Sequence, residues 1–484
     1  MKLSRLALSA LLALAAISAA CVDVNKEVAA TPQEYWQPVE RAKPAEPLTA
    51  PALTANATGQ ELTIPALINI ALANNPLTRV AWYNAKSAAA RLGETNSVYY
   101  PQITGNLSVD RDKSRIVGLN GQSFGVGTTY STNYGPGIEI NYVLWNFGKN
   151  YADTEAARQA LYATDYQYNQ EIEDVILNTE LAYFSFDAAE GFVEAAQATL
   201  DDANVTYKAA SQRLNVAGLG TRQEERQAFA QVQNAEYQLE LAQAQVETTR
   251  AQLAQALGVT VNGNLKIKRM EQLDDAAKLD ENMDNLMAAA MRQRPDLMAA
   301  YANVLQAQYN VKSAKDDQMP VLSAVADATY TIEDGGVTHG NPANNYLVGL
   351  VLSWQLFTGF EKTYAILNAQ EQADAARETL RAEELKVVTD VWNFYYSYKS
   401  ALRQVESTNA QEDAQNEAYK AIEAGYNAGI NSYVDLLTAL SNLATARQQK
   451  VQAEANLGAS IANLAHATGR MPLPAGATAS GTGN

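Results

Sequence analysis

Two short stretches of the chain alternate apolar and polar residues with a period of two. In ITGNLSVD, Ile103, Gly105, Leu107 and Val109 share one face, and Thr104, Asn106, Ser108 and Asp110 share the other. In GIEINYVL, Ile138, Ile140, Tyr142 and Leu144 oppose Glu139 and Asn141. The same phase returns later, in Leu322, Ala324, Ala326 and Ala328 and then in Leu350, Leu352 and Trp354. The pattern predicts strands over about 102–111, 137–146, 321–330 and 346–356. One apolar and one polar face over roughly 9–11 residues suits a transmembrane β-strand with lipid on one side and water on the other. Arg111–Pro136 and Thr331–Asn345 read as long, polar, outward-facing loops.

The pattern elsewhere is helical. Neither Lys149–Asn215 nor Lys362–Asn427 contains a proline. Each predicts one helix on the order of 100 Å long, which must pack along neighbours. The segments that follow carry a heptad seam. Val232, Leu239, Val246 and Leu253 recur every seven residues, with Ala235, Ala242, Thr249 and Ala256 three places on. The later counterparts are Leu443, Lys450, Leu457 and Leu464, with Ala446, Ala453, Ser460 and Ala467. Large residues at one position and small ones at the other let helix axes approach closely. Lys450 breaks the seam and must reach water or an acid.

These matches belong to an internal duplication. Gly218 falls on Gly429, Thr221 on Ser432, Leu253 on Leu464 and Gly258 on Gly469, all at one offset. Upstream, Pro76 aligns with Pro295 and Pro101 with Pro320. The chain therefore divides into repeats at 61–275 and 276–470, each reading helix, strand, strand, helix, turn, helix. Residues 471–484 form a Gly/Ala/Thr-rich tail that reads as disordered. Four strands cannot close a barrel, and an open sheet in lipid leaves its edges unsatisfied, so the chain must oligomerise.

The first residues place the chain outside the cytoplasm. MKLSRLALSALLALAAISAAC has a basic head, an apolar run and small residues, as a secretory signal over 1–20 does. Cys21 is the only cysteine and stands where a bacterial lipoprotein signal puts its acylated residue. The alternative is an ordinary signal with an idle thiol beyond it. Residues 21–60, with their Pro-rich stretch, read as a linker behind that anchor. A net charge of −17 argues against nucleic acid as a partner. The two histidines, His339 and His466, have no partner at a ligand or catalytic spacing, so no enzyme chemistry, metal or cofactor is expected.

The duplicated halves, the strand ends LWNFG and LFTGF, and the paired segments AGLGTRQEERQAFAQVQNA and AGINSYVDLLTALSNLATA resemble the TolC family of outer-membrane efflux and secretion proteins. The resemblance covers about residues 60–470. It implies a fold that is mainly α with transmembrane β, in which a homotrimer joins a 12-stranded β-barrel in the outer membrane of a Gram-negative bacterium to a 12-helix coiled-coil tunnel across the periplasm. It also implies a periplasmic adaptor and an inner-membrane proton-driven pump or ABC transporter as partners. The departures are Val143 and Gln355 where the family often has Pro, and Phe147-Gly148 and Gly359-Phe360 where it often has Gly-Gly.

In that family the helical turns form the periplasmic entrance. The adaptor-docking tips would be Gly218, Leu219, Gly220 and Thr221 in the first half, and Gly429, Ile430, Asn431 and Ser432 in the second. Asp435 matches the family's pore-facing acid, and three copies would make an acidic ring. Glu224 is its counterpart, and Arg222 and Arg226 are candidates to tie neighbouring coils together. Thr221 to Glu224 and Ser432 to Asp435 also fit the capping-box pattern, which by itself accounts for both acids. The expected function is a passive, gated exit duct for small compounds. The alternatives are a polypeptide secretion duct, a non-conducting envelope spacer and an open porin.

Overall fold

A computed structural model describes residues 62–117, 126–215, 220–260, 267–268, 282–335 and 342–471. The signal segment, Cys21, the linker, Gly218, Leu219, His339 and the tail after Met471 lie outside the described residues. In chain order the elements are α1 (Ile64–Asn74), α2 (Pro76–Asn96), β1 (Gln102–Val117), β2 (Val126–Trp145), α3 (Lys149–Asn215) and α4 (Arg222–Ala256). Then come α5 (Met283–Gln293), α6 (Pro295–Asp316), β3 (Val321–Gly335), β4 (Pro342–Ser353), α7 (Glu361–Asn427) and α8 (Tyr433–Ala467). Among the described residues no helix is long and apolar enough to cross a membrane.

The four strands form one antiparallel sheet in the order β1-β2-β3-β4. The register aligns the faces read from alternation. Ile103 pairs with Ile140, Ile140 with Ala326 and Ala326 with Val348, so one apolar row crosses the whole sheet. The next row, Thr104, Glu139, Asp327 and Leu347, lies on the opposite face. It is polar except on β4, where Leu347 and Val351 make both faces apolar.

The long loops Arg111–Pro136 and Thr331–Asn345 are not loops throughout. β1 continues to Val117, β2 starts at Val126, β3 ends at Gly335 and β4 starts at Pro342. Alternation cannot reveal these extensions, because Asp110-Arg111-Asp112-Lys113 is polar on both faces. The ladder continues on backbone hydrogen bonds, with Asn133 Nδ2 donating to Asp112 Oδ2 at 3.2 Å across it.

Each sheet half turns into its long helix through two consecutive left-handed residues. They are Phe147 (φ 54°) and Gly148 (φ 103°), then Gly359 (φ 64°) and Phe360 (φ 69°). A side chain at such an angle costs roughly 1–2 kcal/mol. Each phenylalanine gains an edge-on aromatic contact, Phe147 with Trp145 and Phe360 with Phe357.

The helices assemble in four columns. Toward the tips the lateral order is α4-α3-α8-α7, and toward the sheet it is α2-α3-α6-α7. The 67-residue helices α3 and α7 run through both layers. The other two columns are stacked pairs, with α4 ending against the start of α2 and α8 against the start of α6. The seam residues Val232, Leu239, Val246 and Leu253 are buried, as are Leu443, Leu457 and Leu464. Lys450 reaches an acid, pairing with Glu412 on α7 at 2.9 Å. In this order α4 and α2 stand at one end of the row and α7 at the other, with α5 also packed on α7.

Candidate functional site

The tips are where the two helical hairpins turn. Gly429 takes φ +78° and ends α7, with its amide on the Tyr426 carbonyl (3.0 Å) and the Ile430 amide on the Gly425 carbonyl (2.7 Å). This left-handed cap needs glycine. Asn431 donates to the Ile422 carbonyl at 3.3 Å, and Ile430 stands 81% exposed. In the first hairpin a side chain on Gly220 would meet the Arg213 backbone at 2.8 Å, so the returning chain crosses the last turn of α3 without room for a Cβ.

Both expected capping boxes are present. The Glu224 amide donates to Thr221 Oγ1 at 3.2 Å, and the Thr221 amide donates back to Glu224 Oε2 at 3.5 Å. The Asp435 amide donates to Ser432 Oγ at 3.2 Å, and the Ser432 amide donates to Asp435 Oδ2 at 3.1 Å. The Ser432 hydroxyl adds a third bond, to Asp435 Oδ2, at 2.7 Å. These donors hold the Asp435 carboxyl below the usual carboxylate range, so it is ionised at neutral pH. Arg222 and Arg226 are exposed, and among the described residues neither forms an ion pair within the chain.

The contact that joins the hairpins comes from elsewhere. Arg213, on the last turn of α3, donates to the Tyr426 carbonyl on the last turn of α7. Its guanidinium also lies over the Tyr426 ring at 4.5 Å. Tyr426 and Tyr433 are buried and meet edge-on at 6.0 Å, above a core of Leu436, Leu440, Ala228 and Val232. Burial pushes the Tyr433 phenol up to about 12. Further along, Arg447 on α8 pairs with Asp202 on α3 at 2.8 Å. Sequence reading missed Arg213 and Tyr426. Their one signal was position, since each lies in the last turn of a long helix.

The second place with chemistry is the pair of helix junctions. Gly258 (φ +69°) and Gly469 (φ +67°) close α4 and α8. A Cβ on Gly258 would sit 2.7 Å from Asn75 Cα, and one on Gly469 would sit 3.1 Å from the Gln293 carbonyl carbon. The Leu-x-x-x-x-Gly endings of both halves thus mark a left-handed cap and a close passage of backbone. At the first junction Asn75 caps α2 and donates to the Ala256 carbonyl at 3.0 Å. At the second, the matching residue is Arg294, 4% exposed, paired with Asp296 at 2.5 Å and Asp390 at 3.2 Å. His466, which has no ligand or catalytic partner at sequence spacing, lies 2.8 Å from Asp174. The two are 292 residues apart, so spacing could not reveal the pair. Among the described residues no group of three or more His, Cys, Asp or Glu is placed to hold a metal ion.

Comparison with known proteins agrees with this architecture. The outer membrane efflux protein family matches the chain twice, over residues 67–259 and 286–470. The outer membrane efflux protein BepC of Brucella suis is 25% identical over 436 residues, covering 88% of this chain and 89% of its own. The outer membrane protein TolC of Escherichia coli is 23% identical over 415 residues, covering 82% and 80%. The solved outer-membrane channel OprN superimposes with a TM-score of 0.74 at 21% identity, over 84% of this chain and 89% of its own. Duplicated halves, a four-stranded sheet with an apolar row and long hairpin helices are all accounted for: the chain belongs to the outer membrane efflux protein family and is an outer-membrane efflux channel protein.

Proposed function

We propose that the chain works as a homotrimeric exit duct of a tripartite assembly. A periplasmic adaptor meets its helical tips, and an inner-membrane proton-driven pump supplies small compounds. The observation that carries this reading is the unbroken passage from sheet to tip. A sheet with two unpaired edges, β1 and β4, continues directly into two 67-residue helices. Open edges in lipid are costly, and three copies of a four-stranded sheet remove them all. The end columns α4 and α7 support the same closure. They carry large exposed groups, among them Tyr237 and Leu241 on α4 and Trp392 and Tyr396 on α7. A non-conducting spacer would have no use for the Thr104-Glu139-Asp327 row opposite the apolar face. Lipidation of Cys21 belongs to the same reading and adds a second hold on the membrane to that of the barrel.

The gate in this reading is the tip. Asp435, fixed by its capping box, supplies an ionised ring around the threefold axis. Arg213 ties α3 to α7 and keeps the hairpins of one protomer together. Single-channel conductance in planar bilayers tests both roles. Arg213→Ala should raise the resting conductance severalfold. Asp435→Asn should lower cation selectivity while leaving the resting conductance near wild type. A closed, unchanged channel in both variants would remove the tip from the gate.

A further inference from the structure

We propose that the lipid-facing side of the sheet carries a docking site for the phosphate groups of a glycolipid in the outer leaflet, built by Arg111 and Lys113 on β1. With the tips in the periplasm, as in the reading above on which this site rests, the far ends of β1–β4 stand at that leaflet.

The register separates the charges of the sheet by sign. Positions that share the face of Ile103, Ile140, Ala326 and Val348 point to lipid, and the alternate positions point to the lumen. Asp110, Asp112, Glu139, Asp327 and Glu333 all fall on the lumen face, where no cation stands among the described residues. Arg111 and Lys113 alternate with Asp110 and Asp112 and fall on the lipid face. Arg115, opposite Thr128 in the register, continues the series. The one acid on that face among the described residues is Asp334 on β3, and Thr132 of β2 stands between it and Arg111. Asp112 faces away from both cations and accepts from Asn133 Nδ2 at 3.2 Å.

Height along the strand matters as much as sign. On β2 the lipid-face positions from Leu144 to Tyr134 carry only apolar and tyrosine side chains, apart from no charged group at all. That is roughly 34 Å of strand, or about 25 Å of depth at the usual tilt, which matches the lipid-facing band of a membrane barrel. Exposed aromatic rings bound it, Trp145 and Trp354 at the helical end and Tyr134, Tyr130 and Tyr330 at the far end. Val109 stands opposite Tyr134, Arg111 opposite Thr132 and Lys113 opposite Tyr130. The cations therefore occupy the first two lipid-face positions of β1 beyond the band. Both are exposed, and they flank the Tyr130 ring, Lys113 Nζ at 5.4 Å and the Arg111 guanidinium at 6.0 Å from its centre. Such a ring belongs at the level of the headgroups. The pleat keeps both cations out of the lumen, and the hydrocarbon lies below them, so what they meet is a headgroup. A guanidinium matches a phosphate with paired N–H donors, and an ammonium adds a point charge. A headgroup without net charge would gain little from two cations.

Titration of the full-length protein, purified in a nonionic detergent, with two lipids tests the site. One is lipid A carrying its phosphate groups, the other is lipid A from which they have been removed, and native mass spectrometry counts the bound lipid. The wild type should bind the phosphorylated lipid about tenfold more tightly, on the order expected for two cations at an anionic headgroup surface. Arg111→Gln/Lys113→Gln should abolish that preference, and the exchange Arg111→Lys/Lys113→Arg should keep it. A wild type without the preference would overturn the assignment, as would a preference that survives in the glutamine variant. Displacement of the lipid by millimolar inorganic phosphate would also overturn it, because the ligand would then be free phosphate. Conductance in planar bilayers keeps this site apart from the duct. A wild type that conducts but lacks the lipid preference removes the site and leaves the duct; one that shows the preference but does not conduct removes the duct and leaves the site.

Discussion

At Gly258 and at Gly469 a returning helix stops against the start of a shorter one, with the same left-handed cap and a close passage of backbone that is tighter at Gly258. The filling differs. The first junction is closed by one neutral amide, Asn75, and the apolar side chains Leu67, Leu253, Leu257 and Phe186. The second has an apolar core of Leu286, Val387, Val391 and Leu464, but its capping position carries the buried cation Arg294 with two acids. Duplication preserved what the backbone requires and left the polar contents free to diverge. A glycine at positive φ with no room for a Cβ has no substitute, whereas a buried hydrogen-bond donor can be an amide or a guanidinium if its partners change with it.

Removing the donor on each side tests this difference most severely. Arg294→Ala removes a buried cation and leaves the half-buried Asp296 and Asp390 without it, which should cost about 3 kcal/mol, the low end for breaking a buried ion pair. Asn75→Ala loses a cap and one neutral hydrogen bond and should cost about 1–2 kcal/mol. Apparent melting temperatures of the purified variants rank the two, and equal losses would mean that the charges do not distinguish the junctions. Between these two in size is Gly258→Ala, at roughly 2–3 kcal/mol, since left-handed strain adds to a collision with backbone. Gly469→Ala meets a looser contact and should lose about 1–2 kcal/mol on strain alone.

The smallest effect concerns pH. Glu180, also on α3, is raised to about 7 by burial alone, without a charged neighbour among the causes. Its folded value exceeds its unfolded one, so the wild type loses stability as pH rises from about 4.5 to 7. Glu180→Gln should therefore stabilise by on the order of 1 kcal/mol at pH 8 and by nothing near pH 4, as followed by thermal unfolding at both values. A gain at pH 4 as large as that at pH 8 would show that packing, and not ionisation, sets the effect.

Much of the fold was legible in the order of residues. Alternation over Ile103–Val109 and Ile138–Leu144 predicted strand faces because a pleated backbone sends successive side chains to opposite sides whatever surrounds it. The seam from Val232 to Leu253 identified a packed helix for the corresponding reason, with its own period. The capping boxes at Thr221 and Ser432 could be read because a cap involves residues only three apart. The strand extensions beyond Arg111 could not, because polar residues on both faces leave no periodic signal.

Sequence alone thus sets whatever is fixed within a few residues or repeated at a constant offset: the strand faces, the long helices, the caps and the duplication that points to the family. Tertiary packing added the lateral order α4-α3-α8-α7, the Arg213–Tyr426 tie between hairpins, and the gathering of Asp174, His466, Arg294 and Asp390 at one junction. These residues stand up to 292 positions apart, and no local periodicity links them. Their meeting depends on how far each helix runs and which neighbour it packs against, and that is settled only when all the helices compete for the same buried surface.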